Sequence, residues 1–251
     1  LKETCEEVMK TQNKLVIVIN DPCHNPTGYS LSQQEWDEVI DYLNECGKKV
    51  PVVLLNDIAY IDYSYRGKAA RDYIKTFDRI SEHVFVVIAF SISKSMTSYG
   101  MRCGAAILMA QKEESVREVE IVFEKAARAI WSNVNNAAME NFVTVVTDNK
   151  AAYEAEKDEY VDLLKERSDI FTSEADACGL EYYPYKEGFF VTVKIEDNNV
   201  RNAYHEALMK EHIYTVMVNK GIRVAVCSLP VEKCKGLAAR MKKILDEVTA
   251  A

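Results

Sequence analysis

The sequence predicts an α/β fold, a mostly parallel sheet with one antiparallel strand and helices on both faces, followed by a smaller α+β domain. Three observations predict it. Leu15–Asn20, Val50–Asn56 and Val84–Phe90 are short runs, largely β-branched, each ending where small and polar residues begin. Near-continuous apolar strands of this kind belong to a sheet covered on both faces. A well-marked amphipathic helix separates the first two runs, and a repeated strand–helix–strand order implies parallel neighbours joined by right-handed crossovers. After residue 112 the alternation gives way to long helical stretches and then to a cluster of short strands and helices.

Taken in chain order, Leu1–Lys10 reads as a helix leading into the first strand. Ser32 and Glu35 form a capping box at the start of the next helix. Trp36, Val39, Ile40 and Leu43 make its apolar stripe, and Gly47 supplies its stop. Ala105–Met109 is a fourth strand. It follows Ser98–Gly104 too closely for a helical crossover, so it is expected to run antiparallel to its neighbour. Helical stretches over 113–130 and 135–147 are interrupted at Trp131-Ser132-Asn133, and a long polar-rich helix spans Asn149–Ala177, ending near Gly179. The remainder reads as strands at 180–185, 189–195, 213–218 and 222–227 with helices at 199–211 and 231–248. The expected division is a larger domain over 1–160 and a smaller one over 161–251, with the long helix as the bridge.

Composition narrows the function classes. The 251 residues are 48% hydrophobic, 28% charged and 10% aromatic, which excludes a disordered, collagen-like or coiled-coil chain. No apolar run reaches the roughly 18 residues of a membrane span. A net charge of −8, from 31 Lys and Arg against 39 Asp and Glu, without any basic stretch, argues against nucleic-acid binding. The seven cysteines form no CxxC pair, and His24, His83, His205 and His212 are scattered without metal-ligand spacing, so no metal site or disulfide framework is expected. Residues 1–14, with Glu3, Glu6 and Glu7, lack the features of a signal peptide, and the expected location is a reducing cytoplasm.

The chemistry is expected at the carboxyl ends of the parallel strands, where open α/β sheets bind ligands. His24-Asn25-Pro26-Thr27-Gly28 follows the first strand, Asp57-Ile58-Ala59-Tyr60 the second, and Ser91-Ile92-Ser93-Lys94 the third, with Arg102 further on. Singly these are a turn, a helix cap and a surface cation. Together, three successive strands deliver an amide, a carboxylate, a phenol, a hydroxyl, an amine and a guanidinium to one edge.

In that order and spacing the motifs resemble fold-type I pyridoxal-phosphate-dependent aminotransferases of class I/II, of the aspartate and aromatic aminotransferase kind. Trp131-Ser132-Asn133 and Gly221-Ile-Arg223-Val-Ala-Val-Cys-Ser-Leu-Pro230 extend the resemblance over nearly the whole chain. The resemblance implies that Lys94 forms a Schiff base with pyridoxal 5'-phosphate and then shuttles a proton at the substrate's α-carbon. Asp57 would keep the ring nitrogen protonated, and Asn25 and Tyr60 would hydrogen-bond the ring's phenolic oxygen. Ser91 and Arg102 would hold the phosphate, with Ser93 beside them, and Arg223, aided by Asn25, would clamp the substrate's carboxylate. His24 is expected to buttress the cofactor pocket or the turn rather than to react.

The implied reaction is transamination between an L-amino acid and a 2-oxo acid, in a homodimer when the protein is complete. Family members usually carry, upstream of the part seen here, a phosphate-cradling loop and an aromatic residue stacking on the ring. The chain therefore reads as lacking the N-terminal third, with both sheet edges open, and is expected to hold cofactor weakly and to be inactive alone. Aligned without gaps from Trp131, Glu140 falls where dicarboxylate-specific relatives carry an arginine, which favours aromatic substrates over aspartate. The alternatives are another reaction of the same cofactor, such as elimination or decarboxylation, and a non-catalytic binding domain.

Overall fold

The computed structural model describes residues 1–250, which gather into two compact units. The first comprises Leu1–Asp21, Leu31–Asp62 and Arg66–Tyr153; the second comprises Pro22–Ser30, Tyr63–Tyr65 and the chain from Glu154 onward.

In the first unit, α1 (Lys2–Thr11) precedes a sheet in the order β1-β2-β3-β4. β1 (Leu15–Asn20), β2 (Val52–Asp57) and β3 (Val84–Ser91) are parallel, and their register places Asn20, Asp57 and Ala89 side by side. Three carboxyl ends thus finish at one level. β4 (Gly104–Met109) pairs antiparallel with β3, as the short connection requires. A Cβ on Gly104 would stand 2.5 Å from the Phe90 carbonyl oxygen, so the close start of this pairing admits only glycine.

The helix α2 (Gln33–Gly47) begins with the expected capping box: Ser32 Oγ accepts from Glu35 N at 3.2 Å, and Glu35 Oε2 accepts from Ser32 N at 2.8 Å. Its stripe of Trp36, Val39, Ile40 and Leu43 is buried against the sheet. The crossover from β2 to β3 is no α-helix. A turn of 3₁₀ type over Gly67–Arg79 carries Tyr73 and Phe77 inward, where Tyr73 stacks on Trp36 at 4.7 Å and Phe77 meets it edge-on at 5.5 Å. The four-residue α3 (Ile92–Ser95) follows β3. Beyond β4, α4 (Glu113–Trp131) buries no side chain, and α5 (Asn136–Val146) buries only Ala138.

In the second unit, α6 (Lys150–Cys178) contributes the buried Leu164, Phe171 and Ala175. An antiparallel sheet in the order β5-β7-β6 is made by β5 (Phe190–Lys194), β6 (Val216–Val218) and β7 (Gly221–Ala225). The expected strand at 180–185 is reduced to a single bridge between Tyr182 and Val193. Pro184 lacks the N–H that would continue the ladder. α7 (Asn198–Lys210) falls within a residue of its expected bounds, whereas the helix expected at 231–248 divides into α8 (Val231–Cys234) and α9 (Leu237–Ala250). Gly236, at φ +76°, makes the break. Among the described residues, no helix is long and apolar enough to cross a membrane, and no cluster of His, Cys, Asp or Glu could hold a metal ion.

Candidate active site

The carboxyl edge of the first unit's sheet gathers five of the singled-out residues. Asp57 is the last residue of β2, and its Oδ1 accepts from Ala59 N at 3.0 Å, which fixes the carboxylate over the turn that follows. That turn buries Tyr60. The amine of Lys94, on α3, lies 5.5 Å from the Tyr60 ring centroid and 4.1 Å from that of Tyr99. Aromatic faces at these distances favour a cation without removing its donors. Ser91 closes β3, and its Oγ accepts from Ser93 N at 3.2 Å.

Arg102 is exposed, in the left-handed region at φ 52°. Its Nη1 donates to Tyr99 O at 2.7 Å and to Ser93 Oγ at 3.4 Å. A bulky side chain with positive φ stores strain, and such strain gathers at functional positions. Arg102 also borders a cavity of about 860 Å³ lined by Ile92, Trp131 and Phe142.

Two further residues meet in the second unit. Arg223, in β7, donates from Nη1 to Asn25 Oδ1 at 2.9 Å, and its guanidinium carbon lies 4.3 Å from the Phe190 ring centroid. Arg223 Nε is buried without a hydrogen-bond partner among the described residues. An unmet buried donor carries a desolvation penalty of about 1–3 kcal/mol. The fork of a guanidinium fits a carboxylate best.

The turn carrying Asn25 is tightly enclosed. His24 Nδ1 and Thr27 Oγ1 share a hydrogen bond of 2.8 Å, and burial pushes the imidazole below its ordinary pKa. Lys186 N and Glu187 N both donate to Gly28 O, at 2.9 and 3.0 Å. Gly28 has φ +71°, and a Cβ there would stand 2.2 Å from the Tyr185 ring. Behind it Tyr65 and Tyr185 join hydroxyls at 2.8 Å, and burial raises the Tyr65 phenol to about 12.

Glu140, by contrast, is exposed on α5. Residues that sequence reasoning passed over are Tyr99 against the amine, Phe190 under the guanidinium, and Thr192 on β5. Phe190 and Thr192 lie in a strand that was expected, but its pairing with the strand of Arg223 has no local signal.

A family model described as aminotransferase class I and II matches residues 1–241. The chain belongs to that family. An aminotransferase of Anaerococcus prevotii has a crystal structure that superposes with a TM-score of 0.92 at 36% identity, over 98% of this chain and 60% of that one. The mitochondrial aspartate aminotransferase of Gallus gallus is 29% identical over 132 residues, which are 51% of this chain and 29% of the chicken enzyme. The aromatic-amino-acid aminotransferase of Burkholderia pseudomallei, covalently bound to pyridoxal phosphate in its crystal structure, shares the fold with a TM-score of 0.71 at 22% identity, over 96% of this chain and 59% of that one. This aminotransferase-family chain thus spans less than two thirds of the length of each.

Proposed function

We propose that the chain carries the catalytic residues of a pyridoxal-phosphate-dependent aminotransferase acting between an L-amino acid and a 2-oxo acid. The observation that carries the proposal is the level edge formed by β2 and β3, which presents Asp57, Tyr60, Ser91 and Lys94 together. The residues suit the cofactor by donor type. Asp57 is a carboxylate for a ring N–H, and Asn25 and Tyr60 are donors for a phenolate oxygen. Ser91 and Arg102 offer a hydroxyl and a guanidinium to a phosphate, and Lys94 offers an amine to an aldehyde. When bound, pyridoxal phosphate supplies the aldehyde and a protonated ring that withdraws electrons from the substrate's α-carbon.

Each of the chain's own residues then has a defined task. Arg223 and Asn25 orient the substrate through its carboxylate, which leaves the α-hydrogen to be placed by the pocket. Lys94 takes that proton and returns it, as a general base and then a general acid. Asp57, fixed by Ala59 N, holds the ring proton in place. Tyr60 donates toward the phenolic oxygen, and Arg102 and Ser91 anchor the far end.

The preferred substrates in this reading are aromatic amino acids rather than aspartate. That preference rests on the alignment of Glu140 with an arginine of dicarboxylate-specific relatives, because a carboxylate beside the substrate side chain would repel a second carboxylate. A homodimer in a reducing cytoplasm completes the proposal. Among the described residues all seven cysteines are thiols, as such a compartment allows.

The test supplies the chain, and a version extended at its N-terminus, with pyridoxal phosphate and L-tyrosine, and measures formation of the new 2-oxo acid with and without 2-oxoglutarate. Turnover by the extended version that requires the acceptor and disappears in Lys94→Ala is the expected result. Phenol with pyruvate, or tyramine with carbon dioxide, formed equally without an acceptor would replace transamination by elimination or by decarboxylation. In the extended protein, Glu140→Arg should raise aspartate turnover relative to tyrosine; an unchanged ratio would remove Glu140 from the account of specificity.

A further inference from the structure

The carboxylate clamp is assembled within one unit: Asn25 and Arg223 both belong to the second. Its geometry therefore depends on what holds the Asn25 turn to the strand of Arg223. Thr192 of β5 stands directly opposite Arg223 in the antiparallel β5–β7 register. It is 1% exposed. Its hydroxyl donates at 2.5 Å to the carbonyl oxygen of Pro26, the residue that follows Asn25.

The rotamer that makes this bond is fixed from the other side. A Cβ on Gly221 would stand 2.8 Å from Thr192 Cγ2, so the methyl lies against a backbone that has no room for a side chain. One residue thus faces Arg223 through its backbone and the Asn25 turn through its hydroxyl. The opposite end of the turn has separate ties, through Lys186 N and Glu187 N to Gly28 O. Removing the hydroxyl should therefore loosen the Asn25 end and leave the loop folded.

We propose that Thr192 is a positioning residue, which sets the Asn25–Arg223 geometry and completes a carboxylate clamp before any cofactor binds. The inference rests on the reading of Arg223 as the substrate-carboxylate site. Asn25 Oδ1 accepts from Arg223 Nη1 at 2.9 Å and so fixes one end of the guanidinium, while Nε is buried without a partner among the described residues. A turn displaced by a fraction of an ångström turns the fork and lowers its fit to a planar anion.

The test uses the chain free of pyridoxal phosphate, with arginine labelled by ¹⁵N, and 3-phenylpropionate as a carboxylate that cannot react. Wild type should shift one Nε–H resonance saturably, and Arg223→Lys should remove that resonance and the binding together. Thr192→Val keeps the volume and loses the donor; it should weaken binding by about 3- to 10-fold, while Thr192→Ser keeps the donor and should bind within about twofold of wild type. Thermal melts identify any variant that is not folded, and Thr192→Ala, which adds no bulk, then takes the place of valine. Binding by the donor-less variant equal to wild type, or a serine variant as weak as valine, would overturn the role of Thr192. A wild-type chain that binds no 3-phenylpropionate through Arg223 would overturn the reading of Arg223, and the inference with it.

Discussion

Two helices of the first unit make an instructive pair. α2 and α4 both carry clear apolar residues, yet α2 buries Trp36, Val39, Ile40, Leu43 and Cys46, whereas α4 buries none. Ile130 and Trp131 at the end of α4 are 69% and 67% exposed. The same contrast runs through the sheet. Residues of β2 alternate between buried and half-buried, while four of the six in β4 are exposed. An amphipathic pattern therefore says that a helix has a face to bury, and not that this stretch of chain supplies the cover. Stability should follow burial rather than pattern, because burying a large side chain contributes about 1.5–3 kcal/mol and leaving it in water contributes nothing.

The largest expected effect lies at Trp36. Its indole is fully buried, stacked on Tyr73, and donates from Nε1 to Asp21 Oδ2 at 2.8 Å. Trp36→Ala should lower the unfolding free energy by about 3–5 kcal/mol, measured by urea denaturation. A loss below 1 kcal/mol would break the contrast.

Asp21 comes next. It is fully buried, and its other oxygen accepts from Leu31 N at 2.7 Å. Asp21→Ala strands the buried indole N–H of Trp36 and the partly buried N–H of Leu31, and should cost about 2 kcal/mol or more in the same assay. At the exposed pole, Trp131→Ala should change stability by no more than about 0.5 kcal/mol. A loss as large as that of Trp36 would show that α4 is covered in solution.

Much of this architecture was legible in the sequence, for reasons that differ by element. The three parallel strands and α2 announce themselves by local chemistry: β-branched runs, a capping box, and a stripe at helical spacing. The antiparallel sense of β4 followed from the length of its connection alone. The 3₁₀ crossover of Gly67–Arg79 did not announce itself, because its polar residues hide the inward Tyr73 and Phe77. Residues 180–185 alternate like a strand, and the pattern does not weigh the missing N–H of Pro184.

The site divides in the same way. Asp57, Tyr60, Ser91 and Lys94 follow strands that the sequence reveals, so their common edge could be anticipated. Phe190 and Thr192 act across strand pairings between residues more than thirty positions from Arg223 or far from Pro26 in sequence, and no local periodicity encodes such pairs.

The central claim is that Lys94 is the amine that receives the cofactor, and reductive trapping tests it most directly. The chain is incubated with pyridoxal phosphate, reduced with borohydride, digested, and the modified peptides are located by mass spectrometry. The account predicts an adduct concentrated on Lys94 and reduced by Asp57→Ala or Arg102→Ala, both of which hold the ligand in that reading. Labelling spread over surface lysines with no preference for Lys94, in this chain and in one extended at its N-terminus, would contradict it.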